Sequence, residues 1–206
     1  MALKALSNID RRILYLLMFV IVTFAYLNPL GLPLPIGEFT QATFDTVNDL
    51  EAGDIVLLNF DVSAIGWDEV KGSTSSAIPH IFEESGVKIL FMADVDQGPL
   101  FIEKTIMEIG VNPSGSDDIQ DWEIHGKKYG VDYINLGYFP SGATSALAAD
   151  FRGNAFRDWY GNDPTAFYDS IGLDTAADIK LVFSFDASGG YSGYARVLFL
   201  NSSSYF

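Results

Sequence analysis

The chain has 206 residues, no cysteine, two histidines and a formal net charge of -15. The missing cysteines exclude disulfides, a thiolate nucleophile and Cys-ligated zinc or iron–sulfur centres, and His80 and His125 alone are too few for a histidine-rich metal site. Nucleic acid, a polyanion, would be repelled, since no basic stripe offsets the acidity.

The first element in chain order is apolar. No charged residue occurs from Ile13 to Gly37, and Ile13 to Leu27 reads ILYLLMFVIVTFAYL. Ser7 with Asp10 three residues later forms a capping box, which predicts a helix starting near Asn8 and ending before Pro29. About 20 helical residues rise roughly 30 Å, the thickness of a bilayer's hydrocarbon core. Residues 8–28 are therefore expected to act as an uncleaved, single-pass signal anchor in the cell membrane, since no small-x-small cleavage site follows the apolar run. Lys4, Arg11 and Arg12 flank its start and Glu38 is the first charge beyond it, so the positive-inside rule leaves the N-terminus cytoplasmic. Pro29, Pro33 and Pro35 make a stiff exit. The expected division is thus residues 1–37 as stub, transmembrane helix and exit, and residues 38–206 as one extracytoplasmic domain.

In that domain, apolar runs alternate between strand-like and helix-like. Asp54–Phe60 (DIVLLNF) and Val87–Ala93 (VKILFMA) are apolar almost throughout, as strands covered on both faces are. Ser76–Ser85 reads as a helix ending at Gly86, and Pro99–Ile109 as a helix ending at Gly110. The polar stretch Val111–Gly130 reads as an excursion, Val131–Leu136 as a third strand, Ser145–Arg152 as a helix and Ile179–Phe185 as a fourth strand. Tyr194–Leu200 follows too closely for a helical crossover, so it reads as an antiparallel strand or a terminal helix. This order predicts an α/β fold, a three-layer sandwich with a mostly parallel sheet.

Ligands of such folds bind beyond the carboxyl ends of the strands. Asp61, Asp94, Asp96 and Asp186 follow strand candidates, and if they converge they would offer hard oxygen ligands to Mg²⁺ or Ca²⁺. The alternative is that they are separate loop and cap residues. Asp186-Ala-Ser-Gly-Gly-Tyr-Ser-Gly193 has the composition of a phosphate-cradling turn through Gly189 and Gly190, but lacks a P-loop's Lys-Ser/Thr ending. In Gly72-Ser-Thr-Ser-Ser76, between a strand and a helix, Ser73 and Ser75 could cap the helix or bind a ligand. Trp159-Tyr160, Phe167-Tyr168 and Tyr191/Tyr194 could form an aromatic platform or pack in the core. His125-Gly126 resembles the histidine-glycine pair of caspase-like folds; the resemblance covers two residues, and the partner cysteine cannot exist here. Asn201-Ser202-Ser203 is the one glycosylation sequon.

The sequence therefore points first to a membrane-anchored, non-enzymatic interaction or structural subunit packing against other membrane proteins or copies of itself. The alternative is a divalent-metal-dependent hydrolase or ligand-binding domain built on the strand-end carboxylates.

Overall fold

The computed structural model describes residues 10–27, 36–140, 147 and 149–187. The chain divides into two compact units, Met1–Ala42 and Thr43–Phe206.

The first unit contains helix α1, Arg11–Leu27, 17 residues with none buried. Asp10 starts it: its Oδ1 accepts the backbone N–H of Arg12 at 3.0 Å, which satisfies one of the donors that a helix N-terminus leaves open. Ser7, the expected capping partner, and the Pro29–Pro35 exit lie outside the described residues. Among the described residues, no helix is long and apolar enough to cross a membrane. Helix α2, Glu38–Asn48, runs across the division between the units.

The second unit is an α/β fold on a four-stranded parallel sheet. Its strands are β1 (Ile55–Asp61), β2 (Lys88–Ala93), β5 (Tyr133–Tyr138) and β6 (Leu181–Asp186), in the spatial order β5-β2-β1-β6. Every pairing is parallel. Between them run α3 (Trp67–Glu83) and α4 (Gly98–Ile109), the short helix α5 (Phe151–Asn154) and α6 (Thr165–Ile171).

Side chains alternate across the strands, so the sheet feeds two separate cores. On one face, Val56, Leu58 and Phe60 of β1 with Ile89 and Phe91 of β2 meet Ile78, Ile81 and Phe82 of α3 and Ile102 and Ile106 of α4. On the other, Leu57, Leu90, Met92, Ile134 and Leu136 meet Phe151, Phe167, Tyr168 and Leu173. This explains why β1 and β2 are apolar throughout. Right-handed crossovers account for the arrangement: β1 to β2 to β5 advances one way with α3 and α4 on one face, and the return to β6 on the far side of β1 brings the later helices to the other.

Four elements differ from the sequence reading. Helix α3 begins at Trp67, nine residues before the expected start, so Gly72–Ser76 is helix interior and not a loop. Its hydroxyls bond backwards to helix carbonyls: Ser73 Oγ to Val70 O at 2.8 Å, Thr74 Oγ1 to Lys71 O at 2.9 Å and Ser76 Oγ to Gly72 O at 3.0 Å. The excursion folds as a 3₁₀ turn at Ile119–Asp121 and a hairpin of β3 (Glu123–Ile124) and β4 (Lys127–Lys128). Strand β5 runs two residues further along the chain than the apolar run suggests, with an irregularity against β2 between Phe91 and Ala93. Helix α6 had no sequence-level expectation. Of the expected helix Ser145–Arg152, the described part includes the start of α5; Tyr194–Leu200 lies outside the described residues.

Phe91 is the keystone of the first core. Its ring meets Phe60 at 6.2 Å, Phe82 at 6.0 Å and Tyr133 at 6.1 Å between centroids. Phe91→Ala should therefore lower the unfolding free energy by about 3–5 kcal/mol, whereas Ile65→Ala, at a side chain 95% exposed, should change it by less than about 0.5 kcal/mol. Urea titration of the full chain in mild detergent measures both, and equal midpoints would contradict this packing.

Candidate functional site

The connection from β5 back to β6 places the topological switch point between β1 and β6, where doubly wound sheets bind ligands. Asp61 ends β1 and Asp186 ends β6, and they are register partners across that junction. Asp94 follows Ala93, the register partner of Phe60 on the other side of β1. Three parallel strands in register thus deliver three carboxylates to one edge of the sheet. Asp96, also a candidate from sequence, lies exposed beyond it in the turn before α4.

Two tight contacts fix the loops around this edge. Gln97 Oε1 accepts the backbone N–H of Ala64 at 2.9 Å, tying the β2–α4 turn to the β1–α3 turn. Gly98, the first residue of α4, presses onto the strand ends, where any side chain would strike Ala93 Cβ and stand 2.8 Å from the Phe60 carbonyl oxygen. Only glycine lets the helix sit this close.

Two of the carboxylates, Asp61 and Asp94, are shifted by their surroundings. Burial pushes the Asp94 carboxyl up to about 6, reinforced by the charge of Asp61 and, more weakly, that of Asp186. Asp61 is also raised, first by burial and then by the Asp186 charge, while a hydrogen bond with the Asp94 carboxyl works in the opposite direction. Below about pH 6 the Asp94 carboxyl therefore holds its proton, beside the Asp61 carboxylate. Asp94 is 9% exposed, and its Oδ1 has no hydrogen-bond partner of good geometry among the described residues, although the Asn59 amide lies close enough to favour its charged form.

Asn59 is the residue that sequence reasoning passed over. It is wholly buried in β1, its Nδ2 donates to Ser184 Oγ on β6 at 3.2 Å, and its Oδ1 has no partner among the described residues. The signal was present as a lone amide inside IVLLNF, a run that otherwise needs no polar atom.

The remaining candidates have other roles or lie outside the description. Ser73 and Ser75 are on the exposed side of α3, and the Ser73 hydroxyl is engaged by Val70 O; they do not face the strand ends as ligand groups of a loop. His125 and Gly126 have φ of 49° and 77° and form the two-residue turn of the β3–β4 hairpin, which requires two left-handed residues. His125 is 3.9 Å from Glu83, and the histidine-glycine pair is a turn device here. Phe167 and Tyr168 are buried in the second core and supply no platform. Tyr160 packs edge-on against Tyr129 at 5.4 Å. Gly189, Gly190, Tyr191, Tyr194 and Asn201 lie outside the described residues.

A second polar cluster anchors a loop. Asp158, buried, accepts from Tyr129 Oη at 2.8 Å and from the backbone N–H groups of Tyr160 and Asn162 at 3.0 and 2.7 Å, while the backbone N–H of Trp159 donates to Asn135 O at 2.8 Å. With four donors on one carboxylate, this cluster is structurally satisfied.

Among the described residues, no three Asp, Glu or His side chains are placed to share one metal ion. No protein-family model, curated protein or solved structure matches the chain.

The raised Asp94 has a consequence for stability. Its carboxyl goes from an ordinary 3.8 to about 6 on folding, so the folded state binds the extra proton between those values and loses stability as pH rises through them. The penalty is absent below pH 3.8 and complete above about 6. Asp94→Asn removes it, and the variant should be more stable than the parent by about 1–3 kcal/mol at pH 7.5, with the difference vanishing near pH 4. Thermal unfolding of both proteins across that range measures the gap, and a variant less stable at pH 7.5 would show that the charged carboxylate is favourably held.

Proposed function

We propose that the chain is a membrane-anchored interaction domain, a three-layer α/β sandwich tethered by its apolar N-terminal helix and docking other membrane proteins or a second copy of itself. The observation that supports this most is the state of α1. Its large apolar side chains, from Ile13 through Leu27, are exposed on every side, with Phe19 at 68% and Tyr26 at 85%. A helix apolar all round needs lipid or protein around it. The described 17 residues rise about 26 Å, and the uncharged sequence continues to Gly37, which is compatible with one bilayer crossing. With Lys4, Arg11 and Arg12 before the apolar run, the α/β domain would lie outside the cell.

A second reading, a divalent-metal-dependent hydrolase or ligand-binding domain, is supported by one observation: register brings Asp61, Asp94 and Asp186 to the same end of three adjacent strands.

The anchor is tested by washing membranes from expressing cells with alkaline carbonate. The full chain should stay in the pellet, while Leu17→Arg with Val20→Arg, each costing about 2.5–3.5 kcal/mol at a helix centre, should release most of it. In intact cells, added protease should digest the region after Glu38. Recovery of the parent chain in the soluble fraction would overturn the anchor, and protection from protease without detergent would overturn the orientation.

A further inference from the structure

The loop from Asp158 to Asn162 is bonded at every residue, yet it leaves a tryptophan in solvent. Asp158 holds the backbone N–H groups of Tyr160 and Asn162, and the backbone N–H of Gly161 donates to the Asp158 carbonyl oxygen at 3.1 Å. Trp159 is tied to β5 by its own backbone N–H, and its indole Nε1 donates to Glu103 Oε1 on α4 at 3.0 Å. The indole lies against bare backbone: a Cβ at Gly137 would stand 2.7 Å from its Cε3. Trp159 nonetheless stays 40% exposed. With one side on β5 and its N–H already engaged, what the indole offers to solvent is ring surface. A large aromatic held rigid and partly in water is the form that interface anchors take, since little side-chain freedom is lost when a partner covers it.

The surroundings define what can cover it. Glu103 makes no ion pair among the described residues, and the ammonium of the next residue, Lys104, lies over the Trp67 ring at 5.3 Å. An acidic turn is joined to the same loop, because Asn162 Nδ2 donates to Gln120 Oε1 at 2.8 Å. Asp117, Asp118 and Asp121 of that turn are exposed and are likewise without ion pairs among the described residues, and no basic residue occurs from Asn112 to Asp121. Arg157, the one cation between Ala155 and Asn162, is committed: its Nη1 donates to Gly161 O at 2.8 Å and its charge acts on Asp163. An exposed ring beside unneutralised carboxylates calls for positive charge. A second copy of the chain would bring the same net charge of -15 and be repelled.

We propose that Trp159, Glu103 and the aspartates at 117, 118 and 121 form a docking surface for a basic segment of a partner protein, with an arginine side chain stacked on the indole and forked toward the Glu103 carboxylate. Charge complementarity selects the occupant, and the ring selects arginine over lysine: a planar guanidinium stacks on an aromatic face and bonds a carboxylate with two N–H groups at once, whereas an ammonium is a compact, strongly hydrated point charge. The inference rests on the interaction-domain reading, names the chemistry of the partner and sets the second copy aside.

The probe is a tetra-arginine peptide, acetylated and amidated, added to the full chain in neutral detergent at pH 7.5 and 0.15 M NaCl, where diffuse attraction to exposed acidic groups is screened. The chain has three tryptophans, so its indole N–H spectrum holds three signals, and the one missing from Trp159→Phe belongs to Trp159. That signal should move saturably at one peptide per chain, while the signal of buried Trp67 stays in place. Broadening of the peptide's own arginine signals gives the affinity of variants that lack the indole, and the remaining indole signals show that each variant is folded. Trp159→Ala should weaken binding about fivefold, and Glu103→Gln, which keeps an oxygen for the indole N–H, about threefold. Tetra-lysine should bind about threefold more weakly than tetra-arginine. Glu69→Gln, the same charge change on α3, should leave the affinity unchanged. An unmoved Trp159 signal overturns the proposal, as does parent-like affinity in folded Trp159→Ala, or a loss in Glu69→Gln equal to that in Glu103→Gln. Absence of peptide binding by a chain that stays in the carbonate-washed pellet strikes the docking surface alone; saturable binding by a chain that carbonate releases supports the surface and strikes the anchor alone.

Discussion

Strand β1 carries the α/β domain. It is hydrogen-bonded on both sides, to β2 and to β6, and residues Val56 to Phe60 are fully excluded from solvent on both faces. A strand in that position must be apolar, and any polar atom it contains has to be answered by a neighbouring strand or a ligand. Because β1 is also where the winding reverses, its carboxyl end meets two neighbours arriving from opposite directions. The same placement that builds the two cores therefore brings Asp61 and Asp186 into register and sets Asp94 beside them. Fold and candidate site come from a single topological decision, the return of the chain to the free edge of β1.

The loops reinforce that edge from outside. Gly98 allows α4 to start directly on the strand ends, so the positive end of that helix's dipole lies near the carboxylates. Gln97 links the two turns that frame them. Asp94 nonetheless remains raised, so burial and carboxylate repulsion outweigh the favourable contacts. Repulsion of this kind is local. Twenty-six of the 27 acidic residues follow Gly37, yet at physiological salt exposed charges are screened within about 8 Å, so the surface acidity does not account for the strand ends.

What could be read from the sequence follows the same physics. DIVLLNF and VKILFMA announced β1 and β2 because double burial removes the polar alternation, and the carboxylates after them were visible from position alone. Gly72–Ser76 misled because serine and threonine usually mark a helix start; here they bond back to carbonyls of the preceding turn and the helix passes through them. The His125-Gly126 turn was legible in retrospect, since a two-residue hairpin between short strands favours left-handed backbone. Strand β5 was displaced because Val131 and Asp132 belong to a turn held by Lys128, whose backbone N–H donates to Asp132 Oδ2 at 3.1 Å. Which strand ends would meet could not be read, because strand order depends on the direction of each crossover and a single sequence leaves that direction open.

Asn59 and Asp94 stand out because they break a rule where breaking it is costly. A leucine at position 59 would suit a strand buried on both faces, and an asparagine at position 94 would keep the shape of the turn without a buried charge. Sequences tend to depart from local consistency at functional sites, where stability is exchanged for chemistry. One such departure in a domain of this size is unremarkable. Two so close together, each with an oxygen that has no hydrogen-bond partner among the described residues, make the carboxyl end of β1 the place where this domain departs furthest from local consistency.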